Sequence, residues 1–416
     1  MKIISACRLC KSSELDEAID LGVMAFSGTF PSSSEEIVPE GQLRIVLCRV
    51  CKLAQLDRDF PQDEMYGENY GYMSSLNESM VNHLRTKSRV LSERLALRSS
   101  DIVVDIGSND GTLLSSYLVP GIKRVAIDPT ITKYRDRYGE STTLIADFFD
   151  ADKYRLHLGE AKAKLVTTVA MLYDLPDPLK FAQEVMEILR PDGFWHIEVS
   201  YGPWMLESGA FDAICHEHTE YYSFFTLKSI LDSAGFKIVE CEFNEVNGGS
   251  ITVTATPIGN SDEVALKGDE MALILEKEAA ANTLESWRKF ALLVQEKVLA
   301  LEGLLRKISE DGKVIDALGA STKGNILLQA LGSNSVSTIR QIGEVNNYKF
   351  GRFTPGTLIP IIPEEAVLRS KPDYLLVLPW HFKSSFKSRL AEYVTDGGSV
   401  IYPLPSLDVQ TKSSLR

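Results

Sequence analysis

From residue 102 onward, short apolar runs alternate with stretches whose apolar residues recur at helical spacing. Residues 102–106 read as a buried strand, 112–118 as a helix and 124–127 as a second strand. Residues 165–169, 194–199 and 249–256 continue the strands, and 179–189 is helical between the first two of these. Pro178 stands just ahead of that helix, where a missing backbone N–H costs nothing. A helix over 79–97 leads into the unit. Strands alternating with helices predict an α/β fold with a mostly parallel, doubly wound, Rossmann-like sheet. Residues 262–309 are rich in Ala, Leu, Glu and Lys at helical spacing and predict one or two long helices. After Gly312 the strand pattern restarts at 314–318, 339–343, 374–378 and 399–402, a second Rossmann-like unit. The first seventy residues are expected to be irregular. The expected division is an N-terminal module (1–75), a first α/β domain (76–258), a helical connector (259–311) and a C-terminal α/β domain (312–416).

Composition narrows the function. At 416 residues the chain is too long for one core, and 44% hydrophobic with 9% aromatic residues is ordinary for a globular protein. A formal net charge of -13 argues against a nucleic-acid binder, which carries a basic face. It does not exclude an anionic small ligand in a locally positive pocket. The opening residues 1–6 are too short for a signal-peptide core, and no apolar run approaches the roughly 18 residues that span a bilayer. The expectation is a cytoplasmic protein without membrane contact, and nothing in the chain chooses between a monomer and an oligomer.

Four of the six cysteines form two C-x2-C pairs, Cys7/Cys10 and Cys48/Cys51. Two such knuckles supply the four thiolates of a closed, structural Zn2+ site. Their separation of 37 residues exceeds the usual roughly 15–20, so buried or redox-active cysteines are the alternative. The surrounding stretch holds too little apolar sequence for its own core, which a metal would offset. Cys215 and Cys241 stand alone and read as core residues.

The strand 102–106 runs into Asp105-Ile106-Gly107-Ser108-Asn109-Asp110-Gly111. Gly107 lets a ligand lie against bare backbone, and Gly111 allows an unusual backbone angle. The pattern is not the G-x-G-x-x-G of a pyrophosphate site. Asp105 and Asp110 would repel a diphosphate and attract the sulfonium and amino group of S-adenosylmethionine (SAM). That charge argument favours SAM over NAD. Asp128, at the end of the second strand, suits the two ribose hydroxyls of an adenosine, and Asp147 with Phe148 suits its adenine. The bland alternative has Asp128 capping a helix and the phenylalanines in the core.

These pieces, together with Tyr173-Asp174-Leu175-Pro176-Asp177, Cys215-His216-Glu217-His218, Tyr221-Tyr222 and Gly319-Ala320-Ser321-Thr322-Lys323-Gly324-Asn325, resemble the SAM-dependent C-methyltransferases of nucleotide-linked deoxy-keto-sugars. The resemblance covers nearly the whole chain. It implies methylation of a ring carbon alpha to a ketone, C3 of a dTDP-4-keto-deoxyhexose, through an enolate. That chemistry needs a base with a pKa near working pH, which histidine meets. His218 matches the family's catalytic histidine; His216 is the other candidate. Glu217 would orient an imidazole or bind sugar hydroxyls, and Tyr222 or Tyr221 would hydrogen-bond the sugar or its oxyanion. Tyr70 and Tyr72, in a matching segment, would line the sugar site. Two departures concern the sugar: Cys215 stands where C3-methylating members have tyrosine, and Met171-Leu172 where they have histidine. The histidines read otherwise as structural or as metal ligands.

The loop 319–325 follows a strand and carries two glycines, small hydroxyl residues and Lys323. It suits the diphosphate of a nucleotide-sugar partner, with Lys323 and Asn325 as contacts, or is an empty turn. Rival functions are O- or N-methylation of a sugar or other small molecule, and a nucleotide-sugar-binding protein without turnover.

Overall fold

The computed structural model describes residues 2–66 and 71–415. Its centre is a seven-stranded sheet in the order Phe236–Asn244, Ser250–Pro257, Leu189–Ser200, Ala163–Val169, Ile102–Ile106, Lys123–Ile127 and Thr142–Ile145. Only Ser250–Pro257 runs antiparallel to its neighbours. Strand order reverses between Ile102–Ile106 and Ala163–Val169, and an open α/β sheet leaves its ligand crevice at that point, beyond the strands' carboxyl ends. Ile102–Ile106 is buried on both faces because helices cover the sheet on each side. The expected helix at 112–118 is shorter, Thr112–Ser115.

The second unit is a six-stranded sheet in the order Ile361–Pro363, Ile339–Glu344, Ile315–Leu318, Tyr374–Val377, Ser399–Tyr402 and Asp408–Gln410. All pairs are parallel except the last. Between the two sheets run helices Gly268–Glu278 and Leu284–Glu310, as the amphipathic spacing predicts.

Residues 2–66, expected to be irregular, carry regular strands. Leu15–Ala25 and Glu40–Cys48 are long antiparallel strands, joined by Ala54–Leu56 and by Glu220–Tyr221 from far along the chain. Register shifts at Glu17/Ile19 and Asp20/Val23 break the two-residue alternation that marks a strand, which hid Leu15–Ala25 in the sequence. Nor does this module own its core. Leu43, Ile45, Phe26 and Phe30 pack with Trp287, Phe290 and Leu305 of the long helix and with Ile315 and Leu376 of the second sheet. Cys7, Leu9, Cys48 and Leu53 pack instead with the first sheet's layer. The module is a wedge whose two faces each complete another unit's core.

Candidate active site

The acidic turn builds the first half of the site. Gly107, Asn109 and Gly111 all take left-handed backbone (φ +76°, +50° and +77°), folding the turn back over the strand end. Asp128 ties it down: one carboxylate oxygen accepts from Asn109 N at 2.8 Å, the other from Thr130 N and Oγ1 at 2.6 and 2.5 Å. Asp105 is buried, accepts from Thr167 Oγ1 at 2.7 Å, and is pushed up to about 7 by burial. A carboxyl so desolvated gains strongly from a cationic partner.

A cavity of about 300 Å³ opens beyond this turn. Asp105, Gly107, Asn109, Asp128, Asp147 and Phe148 line it, as the SAM reading requires, with Tyr66, Met171 and Phe149 completing the wall. Acids at the strand ends and aromatic rings at the far side fit a cofactor with a positive head and a purine tail. Asp147 is itself paired with Lys153 at 2.8 Å, which holds its carboxyl below the usual range. Two expected contacts face elsewhere. Asp110 accepts from Ser75 N at 3.1 Å and Thr112 Oγ1 at 2.6 Å, so it fastens the segment 71–75 to the turn and does not line the cavity. Gly111 is needed for packing, since a Cβ there would lie 2.7 Å from the Tyr138 ring. Tyr72 lines the cavity and its carbonyl accepts from Asn109 Nδ2 at 3.2 Å. Tyr70 lies outside the described residues.

The four sulfurs of Cys7, Cys10, Cys48 and Cys51 lie within 4.8 Å of one another. The shortest pairs, 3.4 and 3.5 Å, approach the about 3.8 Å edge of a tetrahedron with Zn–S bonds of about 2.3 Å. Each knuckle closes identically: Lys11 N bonds Cys7 O and Lys52 N bonds Cys48 O, both at 3.0 Å and both lysines left-handed. Gln55 Nε2 donates to Cys7 Sγ at 3.2 Å, an outer support of the kind metal sites use. The donor set fits zinc.

The zinc module places the histidines. Glu220–Tyr221 pairs with Ala54–Leu56, and Leu56 N bonds Thr219 O at 2.9 Å, so the module's sheet holds the chain leaving His216-Glu217-His218. Alternate residues then part company. His216 is fully buried between Phe26 and Phe60, ring centroids 4.7 and 4.8 Å away, with Nε2 donating to Gly41 O at 3.2 Å. It faces the module and not the cavity. Tyr222 is also a core residue, its hydroxyl bonded to Glu220 and to the Leu172 carbonyl and its ring within the first sheet's packing layer.

His218 is half-buried beside Tyr173 with ring centroids 4.3 Å apart, and it does not line the cavity either. Its Nδ1 donates to Ala213 O at 2.8 Å, because a carbonyl only accepts. That bond leaves the lone pair on Nε2. Burial and then the Lys323 charge push the imidazole down to about 3, so the ring is neutral but a weaker base than the one near working pH that the resemblance implies. Glu217 is buried against Gly28, where a Cβ would meet its Oε1 at 2.6 Å, and burial raises its carboxyl.

In the C-terminal loop the two expected contacts bond the protein itself. Lys323 Nζ donates to Asn247 O at 2.7 Å and Asn325 Nδ2 to Ser27 O at 2.7 Å, so both reach into junctions between units and not into an open phosphate cradle. Asp212, Trp380 and His381 belong to the same junction: Trp380 Nε1 donates to Asp212 Oδ2 at 2.7 Å. Asp212 escaped the sequence reading, although an acid inside the apolar run 210–215 was a visible signal.

Comparison with known proteins agrees with this architecture. Residues 7–66 match a zinc binding domain family, 80–241 a methyltransferase domain family and 245–405 the C-methyltransferase C-terminal domain family. The C-methyltransferase NovU of Streptomyces niveus is 30% identical over 407 residues, covering 97% of this chain and 96% of its own. Among solved structures, the Burkholderia thailandensis 1,6-didemethyltoxoflavin-N1-methyltransferase with bound S-adenosylhomocysteine is 20% identical, covering 49% of this chain and 94% of its own, at a TM-score of 0.36. An S-adenosylmethionine-dependent methyltransferase from Clostridium acetobutylicum is 14% identical, covering 42% and 91%, at a TM-score of 0.34. Among the described residues no helix is long and apolar enough to cross a membrane.

Proposed function

Since this chain belongs to the C-methyltransferase family and is a SAM-dependent methyltransferase with a zinc module, we propose that it methylates a nucleotide-linked keto-deoxysugar at the carbon alpha to the ketone, C3 of a dTDP-4-keto-deoxyhexose. Bound SAM supplies the electrophilic methyl group. The observation that carries the reading is His218: a neutral imidazole, pinned through Nδ1, with its Nε2 lone pair free for an acidic carbon. His218 takes the proton from the carbon next to the ketone; the C–H pair becomes a C=C bond and the carbonyl pair moves onto oxygen, giving an enolate whose carbon is the nucleophile. Tyr173 packs against the ring at a tilt and limits its rotation, and Glu217 offers a buried carboxyl to sugar hydroxyls. Tyr72, on the cavity wall, bounds the sugar.

The test has two arms. Purified protein with SAM and a panel of nucleotide keto-sugars should yield a product heavier by one methylene, and in deuterated solvent without SAM the alpha carbon should exchange its hydrogen. Methyl gain without exchange would instead indicate transfer to oxygen or nitrogen. His218→Ala should abolish exchange and methylation while SAM affinity persists; full activity in that variant would end the assignment of His218.

A further inference from the structure

The Lys323 charge acts on the proposed base, and the enolate reading has not used it. Lys323 is the second residue of helix Thr322–Ala330, and that helix packs on the turn Phe211–Ala213. That turn also holds His218, through the Ala213 carbonyl. Gly28 registers the two segments: a Cβ there would lie 2.6 Å from Glu217 Oε1 and 3.7 Å from Thr322 Oγ1, the sequence neighbours of His218 and Lys323. Asn325, on the same helix, bonds Ser27 O. Among the described residues Lys323 makes one polar contact, the Asn247 carbonyl, and Asn247 holds left-handed backbone (φ +55°). The surroundings are polar and under-satisfied. His381 Nδ1, Asn325 Oδ1 and one carboxylate oxygen each of Asp212 and Glu217 are buried with no hydrogen-bond partner among the described residues. Unpaired buried polar atoms are costly in an empty core and are explained by a polar guest.

We propose that Lys323 is the electrophilic partner of His218, its ammonium stabilising the oxyanion that forms on the sugar ketone as His218 removes the adjacent proton. This rests on the enolate reading above. When the C–H pair moves into the C=C bond, negative charge settles on the ketone oxygen, and a pre-placed ammonium in a buried site needs no reorganisation to meet it. The same charge acts on the base. Lys323 disfavours a protonated His218, while burial lowers the pKa of Lys323 itself and Asp212 only partly opposes that. The titratable groups around the pair are Asp212, Cys215, Glu217, Tyr173 and His381.

The test compares Lys323→Met, Lys323→Gln and Lys323→Arg in the full chain. Gln keeps a donor for the Asn247 carbonyl without charge. Both neutral variants should lose alpha-hydrogen exchange about 100-fold while SAM affinity is retained, and Arg should recover part of the rate. Exchange within about threefold of wild type in Lys323→Gln overturns the proposal. Loss of SAM affinity in both neutral variants overturns it too, since Lys323 is then structural. A substrate-free reading separates this proposal from the enolate reading. In histidine-labelled protein the His218 pKa should move up in Lys323→Gln, and an unmoved pKa overturns the proposal. Should wild type turn over no keto-sugar while that shift appears, the enolate reading fails and the electrostatic coupling stands.

Discussion

The molecule holds two doubly wound sheets with the same crevice at the same point of strand reversal, and treats them oppositely. Beyond Ile102–Ile106 the crevice is open, acidic and lined for a ligand. Beyond Ile315–Leu318 it is filled by the protein itself: Pro379 lies against Gly319, Lys349 Nζ bonds Ala320 O at 2.7 Å, and Asn325 reaches Ser27. The zinc module makes much of the difference, since Phe30 and Pro31 take hydrogen bonds from Arg352 and Phe353 of the C-terminal unit. A fold offers a crevice; side chains and neighbouring units decide whether it binds a cofactor or seals a junction.

Breaking the module tests the contrast most severely. Chelating the metal, or replacing Cys48 with Ser, removes a site worth about 10–16 kcal/mol in small zinc domains. The module should unfold, with Glu220–Tyr221 losing its partner strand. Methyl transfer should vanish, and circular dichroism with SAM titration should show the first sheet still binding.

His218→Ala should lower methyl transfer by about 10²–10⁴-fold with cofactor affinity unchanged, measured by product mass and calorimetry. Asp128→Ala should weaken SAM binding by about tenfold or more, because both the ribose acceptor and the tie to Asn109 N go. Its melting temperature should move little compared with its affinity. In the filled crevice the order reverses. Gly319→Ala puts a Cβ 2.5 Å from Pro379 at φ +81°, so stability should fall by about 1–3 kcal/mol in denaturant melts while SAM affinity holds. The smallest effect concerns pH. With His218 held down to about 3, the neutral base persists as pH falls from 7 to 5, so kcat/KM for the keto-sugar should show no acid limb from an ordinary histidine.

Local patterns were legible wherever the chain's own spacing carried the information. Alternating runs announced both sheets, the cysteine pairs announced the knuckles, and the acidic turn announced a crevice for a positive guest. The bulged strand Leu15–Ala25 was illegible because its irregular register erased the alternation. Residue roles within a motif were illegible for a different reason: His216 and His218 are two residues apart, and neighbours at that spacing answer to whatever packs on each side.

By itself, then, the sequence determined the α/β architecture, a metal-ready cysteine set and the cofactor turn, all products of short-range periodicity and spacing. Tertiary structure alone decided that Asp110 fastens the 71–75 segment, that His216 and Tyr222 are core, and that Lys323 bonds the Asn247 carbonyl. Those outcomes depend on partners such as Gly41 for His216, or Ser27 for Asn325, that lie 175 and 298 residues away along the chain. Such contacts are set when three units close on one another, and no local window of sequence contains them.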